Sequence, residues 1–291
     1  MEIGIFSALI AGMIQGISEW LPVSSKSLVM FYFLTLGVPQ NQAFALAVFS
    51  HIGTLVAATV VLRKEIGDVA RKALALAAKP EKLHLLLKPS QREMGIGTVG
   101  FIVVALAMTG VVGFPLYYAL KAYLSLGEAY ISILMGALLV ITAVLLSKSN
   151  RKGEREENEA GAGDGFAVGA LQGLATLPGI SRSGITMFGL GVRGFSTEAA
   201  ARLSFLLSIP TVLLAEIVFA FVLGNVQYLP DVKALVALNL SSFVFGLLSM
   251  ETLLSIVKRV RFHWVCVGLA IVYFAWAAFR LGAGAAFGGY T

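Results

Sequence analysis

Six stretches of the chain are apolar almost without interruption, at about 43–62, 95–117, 129–147, 201–223, 234–257 and 264–281. At 1.5 Å of rise per residue each covers the roughly 30 Å of a bilayer's hydrocarbon core, which predicts six transmembrane helices and not barrel strands. Four further apolar stretches, 4–17, 27–37, 165–177 and 184–195, are too short to cross. They form two pairs, each interrupted by a polar hinge. The first hinge reads Pro22-Val23-Ser24-Ser25-Lys26-Ser27 and the second, 156 residues on, Pro178-Gly179-Ile180-Ser181-Arg182-Ser183. Two half-helices meeting at an irregular turn are tolerated at membrane depth only where protein or a wet cavity satisfies the freed backbone, so each pair predicts a re-entrant hairpin.

The two halves echo each other beyond the hinges. Gln15-Gly16 and Gln172-Gly173 precede them, and Ile52-Gly53-Thr54-Leu55 aligns with Ile209-Pro210-Thr211-Val212 at an offset of 157. One hairpin plus three spans is an odd number of crossings, which turns the second copy upside down and brings the hinges together near the midplane. The expected fold is therefore an all-α integral membrane protein, with six transmembrane helices and two re-entrant helical hairpins in an inverted-topology repeat. It is a single membrane domain over 1–291, with repeat 1 at about 1–147, a charged linker at 148–164 and repeat 2 at about 165–291.

Composition agrees with a lipid environment: 58% of residues are hydrophobic, 13% are charged and the mean hydropathy is +0.86, which excludes an ordinary water-soluble globule. Cys266 is the single cysteine, so no internal disulfide forms. The N-terminal stretch has neither a basic flank nor a small-residue cleavage site and is not read as a removed signal peptide. Loops 63–93, 148–164 and 258–262 hold eight, four and three Lys/Arg, against one each in loops 118–127 and 225–233. The positive-inside rule makes the first three cytoplasmic and both termini extracytoplasmic, in a plasma membrane. The linker, with alternating charges and glycines, reads as solvated and mobile. The basic loop 63–93 suits anionic headgroups, and nothing in the pattern suggests nucleic acid.

Charged groups in hydrocarbon cost about 2.5 to 3.5 kcal/mol each on insertion scales, so Glu19, Lys26 and Arg182 need partners or a task. They could simply pair and pin the hinges together. The matching positions of the two cations, flanked by Ser24, Ser25, Ser27, Ser181, Ser183 and Thr186 and followed by helix N-termini, favour a phosphate cradle. A phosphate site at membrane depth implies an amphiphilic substrate with its tail in the bilayer.

At these residues the chain resembles a known family. Gln15-x-x-x-Glu19-x-x-Pro22-Val23-Ser24-Ser25 with Pro178-Gly179-Ile180-Ser181-Arg182-Ser183-Gly184 is similar to the two signature motifs of the undecaprenyl pyrophosphate phosphatases, the bacitracin-resistance family. The resemblance covers essentially the whole chain. It implies removal of the terminal phosphate from a polyprenyl (undecaprenyl) diphosphate at the outer face, which recycles the carrier lipid. It also implies a divalent cation, Mg²⁺ or Ca²⁺, with Glu19 as its ligand. Ser25 then matches the nucleophile, Glu19 the motif's second acidic residue and Arg182 the phosphate-binding arginine. Gln15, Ser24, Lys26, Ser27, Ser181, Ser183 and Thr186 become substrate-binding candidates.

Two departures stand out. Gln15 occupies the motif's first acidic position, a substitution the family's pattern allows. Leu28 stands where the family has a histidine, and Lys26 where it has a small neutral residue. His51, on the next span, is the candidate proton relay, although a lone histidine on an apolar helix is more often a packing residue. His84 and His263 lie in or beside loops. Inverted repeats with broken helices are also the plan of secondary transporters, so a polyprenyl-phosphate flippase or non-catalytic lipid-phosphate binder is the alternative. For that reading Glu216 and Glu251 would carry protons; otherwise they are packing groups. Glycines 95, 97, 100, 110 and 113 permit close helix approach, within one chain or in a homodimer.

Overall fold

The computed structural model describes residues 3–79, 96–148, 153–222, 224–257 and 260–287. Six helical segments are long and apolar enough to cross a membrane: Gln40–Val61, Ile96–Tyr123, Glu128–Ser147, Thr197–Phe221, Val232–Met250 and Phe262–Gly282. Each overlaps one of the six expected spans. In chain order the helices are α1 Ile5–Ser18, α2 Ser25–Thr35, α3 Gln40–Phe49, α4 His51–Val61, α5 Arg63–Ala77, α6 Ile96–Tyr123, α7 Glu128–Ser147, α8 Ala162–Gly173, α9 Arg182–Val192, α10 Thr197–Ile217, α11 Val232–Val257 and α12 Phe262–Phe287. Helices α1, α2, α8 and α9 have 14, 11, 12 and 11 residues, each well short of the length a crossing needs.

Helix α1 packs along α11, α8 along α6, and α7 along α12. Small residues make these approaches close, as expected where lipid supplies no hydrophobic drive between helices. A Cβ at Gly12 of α1 would lie 2.2 Å from the Leu238 carbonyl oxygen, and one at Gly169 of α8 would lie 2.4 Å from that of Ala105. Trp20, just past α1, is buried; it donates from Nε1 to the Gly246 carbonyl at 3.1 Å and meets Phe205 edge-on at 5.5 Å. One indole thus fixes the first hinge against both α11 and α10.

The first span is broken between Phe49 and His51. Its freed groups find other partners: the Gly53 N–H donates to Asn239 Oδ1 at 3.0 Å, the His51 ring bonds the Val48 carbonyl at 2.8 Å, and the Ser50 carbonyl accepts from Ser242 at 2.8 Å. Gly53 aligns with Pro210 of α10, a residue with no N–H to satisfy. Both copies therefore lack an ordinary helix bond at this position, by different chemistry.

Two regions read as loops carry structure. Residues 63–77 form α5, with a single buried side chain, Leu76. The linker, expected to be solvated and mobile, is anchored over 153–164. Arg155 exchanges backbone hydrogen bonds with Gly194 and Ser196 and stacks over Phe195 at 4.0 Å. It also forks onto Asp164 at 3.0 and 2.9 Å, while Arg193 donates to the same carboxylate at 2.7 Å. Pairing across i, i+9 and i, i+29 is what a reading of charge alternation misses.

Candidate active site

Helix α1 ends at Ser18, whose hydroxyl turns back to the Ile14 carbonyl. The chain then runs through a short turn to Ser24, the one non-glycine residue with positive φ (65°) among the described residues. That conformation is costly for a residue with a Cβ. Here it is held from both sides: the Ser24 carbonyl accepts from the Ser27 and Leu28 N–H groups, and its Oγ accepts from the Gly179 N–H at 3.2 Å. The turn starts α2 at Ser25. In the second hinge the left-handed residue is Gly179 (φ 115°), its carbonyl bonded by Thr142 at 3.1 Å. Ser181 caps α9 by accepting from the Gly184 N–H, which places Arg182 at the first helical position.

The hinges are tied to each other. Besides the Ser24–Gly179 bond, Ser183 donates to the Leu21 carbonyl at 3.0 Å, and the Lys26 ammonium donates to the Ala175 and Thr176 carbonyls at 2.9 and 3.3 Å. Lys26 thus sits at the carbonyl end of the α8 segment, where helix polarity favours a cation.

Glu19 lies at the centre, 5% exposed. One carboxylate oxygen, Oε2, accepts from Ser25 Oγ at 2.6 Å and Gln15 Nε2 at 2.7 Å and lies 3.3 Å from His51 Nε2; the other, Oε1, accepts from Arg182 Nη2 at 2.5 Å. A buried carboxylate is costly unless its lone pairs are met, and this set meets them. His51 Nδ1 faces a carbonyl, which only accepts, so Nδ1 carries a proton. The other guanidinium arm, Arg182 Nη1, is buried without a partner. Arg182 therefore already grips Glu19 and still presents an unmet donor, the condition that an incoming oxyanion would satisfy.

Glu19, Ser24, Ser25, Lys26, His51, Ser181, Arg182 and Ser183 line one cavity of about 270 Å³. Its remaining wall is largely apolar and comes mainly from α6 and α10. Gln15 acts on the cavity only through Glu19. Ser27 and Thr186 are used elsewhere: Ser27 donates to the Ser24 carbonyl and accepts from Tyr273, and Thr186 bonds its own helix and Ser204 of α10. Two acceptors on the cavity wall are also unmet, Gln172 Oε1 and Glu216 Oε2. Glu216 is a cavity residue that the sequence offered only as a packing group or a carrier's proton site. Glu251 and His84 fall outside the described side chains, and His263 packs beside Trp264, ring centroids 5.3 Å apart.

The donor set does not make a protein-only cage for a divalent cation. Among the described residues no three His, Cys, Asp or Glu side chains converge, and Glu19's oxygens are ringed by donors.

Six apolar spans, four half-length helices and a buried serine–carboxylate–arginine cluster with an unmet guanidinium donor define a class: a multi-pass helical membrane protein with a buried polar site. The model of the family described as bacitracin resistance protein BacA matches residues 8–272, and the chain belongs to that family. It is similar to proteins named undecaprenyl-diphosphatase in three archaea. That of Methanococcoides burtonii is 33% identical, covering 91% of this chain and 95% of the relative. That of Haloarcula marismortui is 38% identical over 92% and 96%, and that of Methanopyrus kandleri 35% over 93% and 96%.

Proposed function

We propose that the chain is a membrane-embedded undecaprenyl-diphosphate phosphatase, a phosphoric anhydride hydrolase that returns the carrier lipid to its monophosphate. The observation that carries this reading is the 2.6 Å bond from Ser25 Oγ to a carboxylate that is itself held by Arg182, whose second arm is unmet. Ser25 attacks the distal phosphorus, the bridging P–O bond breaks and the lipid monophosphate leaves. The serine proton passes to the Glu19–His51 pair. Arg182 neutralises the equatorial oxygens, where phosphoryl transfer concentrates charge. Water then attacks the phosphoserine and the Ser25 O–P bond breaks; Ser25 takes back its proton from the pair, and the proton that water gives up leaves on the released phosphate. His51 does from α4 what the family's histidine at position 28 would do from α2. A divalent cation, Mg²⁺ or Ca²⁺, would be held chiefly by the substrate and would supply further charge neutralisation.

The reading includes a topology: α1–α2 and α8–α9 are re-entrant hairpins of two inverted repeats, and both termini are extracytoplasmic. It is supported by the Gly53–Pro210 correspondence and by the exchange in which each repeat's first half-helix packs on a long helix of the other. The unmet Glu216 carboxylate favours a second reading, proton-coupled lipid transport. Purified protein in nanodiscs, given undecaprenyl diphosphate, is expected to release inorganic phosphate, and Ser25→Ala to release none. Lipid movement across vesicles without phosphate release would leave the transport reading in its place. Labelling of an introduced cysteine in 148–164 from outside sealed cells would overturn the topology.

A further inference from the structure

We infer that Tyr273 of α12 is a positioning residue for the nucleophile: acting through Ser27, it holds the turn that sets Ser25 against Glu19. The inference rests on the phosphatase reading above. Tyr273 and Ser27 are both fully buried; the phenol donates to Ser27 Oγ at 3.2 Å, and Ser27 donates in turn to the Ser24 carbonyl at 2.9 Å. That carbonyl belongs to the left-handed residue just before Ser25, and it also accepts from the Ser27 and Leu28 N–H groups that open α2.

No described residue of α12 lines the cavity, yet this helix reaches the first hinge twice from one face. Cys266 and Tyr273 are seven residues apart, about two turns of helix. Cys266 donates from Sγ to the Pro22 carbonyl at 3.2 Å, and Tyr273 reaches Ser27. The two tethers fall on either side of Ser24. The Tyr273 ring also packs on Phe31, one turn beyond Ser27 on α2, with centroids 4.5 Å apart. Helix α12 is itself packed along α7, so the turn is held from an element that is fixed elsewhere.

The turn needs such a backing. A left-handed conformation costs a residue with a Cβ about 1 to 2 kcal/mol, so Ser24 is biased to relax, and relaxation would carry its neighbour Ser25 with it. Ser25 and Ser27, two residues apart at 3.6 per turn, point to nearly opposite sides of α2. One side meets Glu19, 2.6 Å from Ser25 Oγ, and the other meets Tyr273. Pressed from behind by α12, the turn cannot draw away from the carboxylate. Reaction rates are sensitive to such shifts, since a misplacement of ~1 Å costs on the order of 100-fold. The phenol therefore contributes to the chemical step and not to lipid binding.

The test pairs turnover of undecaprenyl diphosphate with amide hydrogen exchange over residues 24–28, both in nanodiscs. Tyr273→Phe keeps the ring on Phe31 and removes only the hydroxyl. It is expected to lower kcat about tenfold with KM within about twofold of wild type, and to speed exchange of the Ser27 and Leu28 amides about tenfold by loosening the turn. Because Tyr273 acts through Ser27, Ser27→Ala should show the same fall in kcat, and adding Tyr273→Phe to it should cost nothing further. Unchanged kcat in Tyr273→Phe, losses that add in the double variant, or unchanged exchange at Ser27 and Leu28 would each overturn the inference. The exchange arm needs no turnover. Wild-type protein that releases no phosphate would refute the phosphatase reading and the catalytic role with it, while faster exchange in Tyr273→Phe would still show that α12 holds the turn.

Discussion

The two hinges share a sequence pattern and almost nothing of their chemistry. The first, at 19–27, carries the acid, the hydroxyl poised on it and the strained Ser24; the second, at 178–184, carries the guanidinium, and its positive-φ residue, Gly179, stands opposite Val23, one position before the place of Ser24. Glu19 on one turn and its partner Arg182 on the other make each turn incomplete alone. A duplicated scaffold can hold unlike groups face to face because each copy specialises, and the glycine or serine at the left-handed position follows from what surrounds it. Ser24 has a bond to keep with Gly179; at Gly179 a Cβ would lie 2.7 Å from the Met135 carbonyl oxygen.

The sharpest way to break the comparison is to remove one member from each side. Ser25→Ala and Arg182→Lys are each expected to reduce phosphate release by more than about 1,000-fold, the second because a point charge cannot hold Glu19 and an oxyanion at once. A Lys variant near wild-type turnover would make Arg182 a plain counter-ion. Ser181→Ala and Ser183→Ala, whose hydroxyls serve the cap and the Leu21 carbonyl, should lose about tenfold or less. Next comes the acid. Glu19→Gln is expected to cost ~100- to 10,000-fold, as for loss of general acid–base catalysis, and His51→Ala about 10- to 100-fold with a displaced pH profile. Equal turnover in His51→Ala and wild type would make the ring a packing group.

Smaller effects test the scaffold. Gly179→Ala and Gly169→Ala each push a Cβ into backbone and should cost about 1 to 3 kcal/mol, read as a fall in melting temperature; Gly179 should lose more, because its φ also disfavours a side chain. The smallest expected effect lies at the linker. Burial alone would raise the pKa of Asp164, but hydrogen bonds from Arg155 and Arg193 outweigh it and hold the carboxyl below its ordinary 3.8. The stability this contributes is fully present above pH ~4 and is lost as pH falls through the depressed folded value. Asp164→Asn should flatten the acid limb of a stability profile, and an unchanged slope would show the anchorage to be weak.

The spans were legible because length and apolarity alone decide what crosses a bilayer, and the half-helices because each stopped at a polar hinge. Glu19, Ser25 and Arg182 could be picked out as intramembrane polar groups repeated in matching motifs. What could not be read were directions. Ser27 and Thr186 look like cradle hydroxyls in sequence, yet the pitch of α2 and α9 turns them toward Tyr273 and Ser204. Lys26 counts as a phosphate-facing cation until the carbonyl ends of α8 come into view. His51 sits 32 residues from Glu19, just past the break at Ser50, with its ring 3.3 Å from the carboxylate. The Gly53–Pro210 match was the available signal of that break.

The bonds that tie the two hinges also constrain how the protein is made. Glu19 and Lys26 emerge from the ribosome about 156 residues before Arg182 and the carbonyls that Lys26 caps, an interval of roughly 8 to 30 s at ordinary synthesis rates. During that interval Glu19 has Gln15, Ser25 and His51 but not its guanidinium partner, and Lys26 lacks the carbonyls it caps. Newly inserted chains should therefore pass through a stage at which the amino-terminal half is bound by membrane chaperones, and a nascent chain stalled before residue 178 should be degraded faster than one stalled after residue 200.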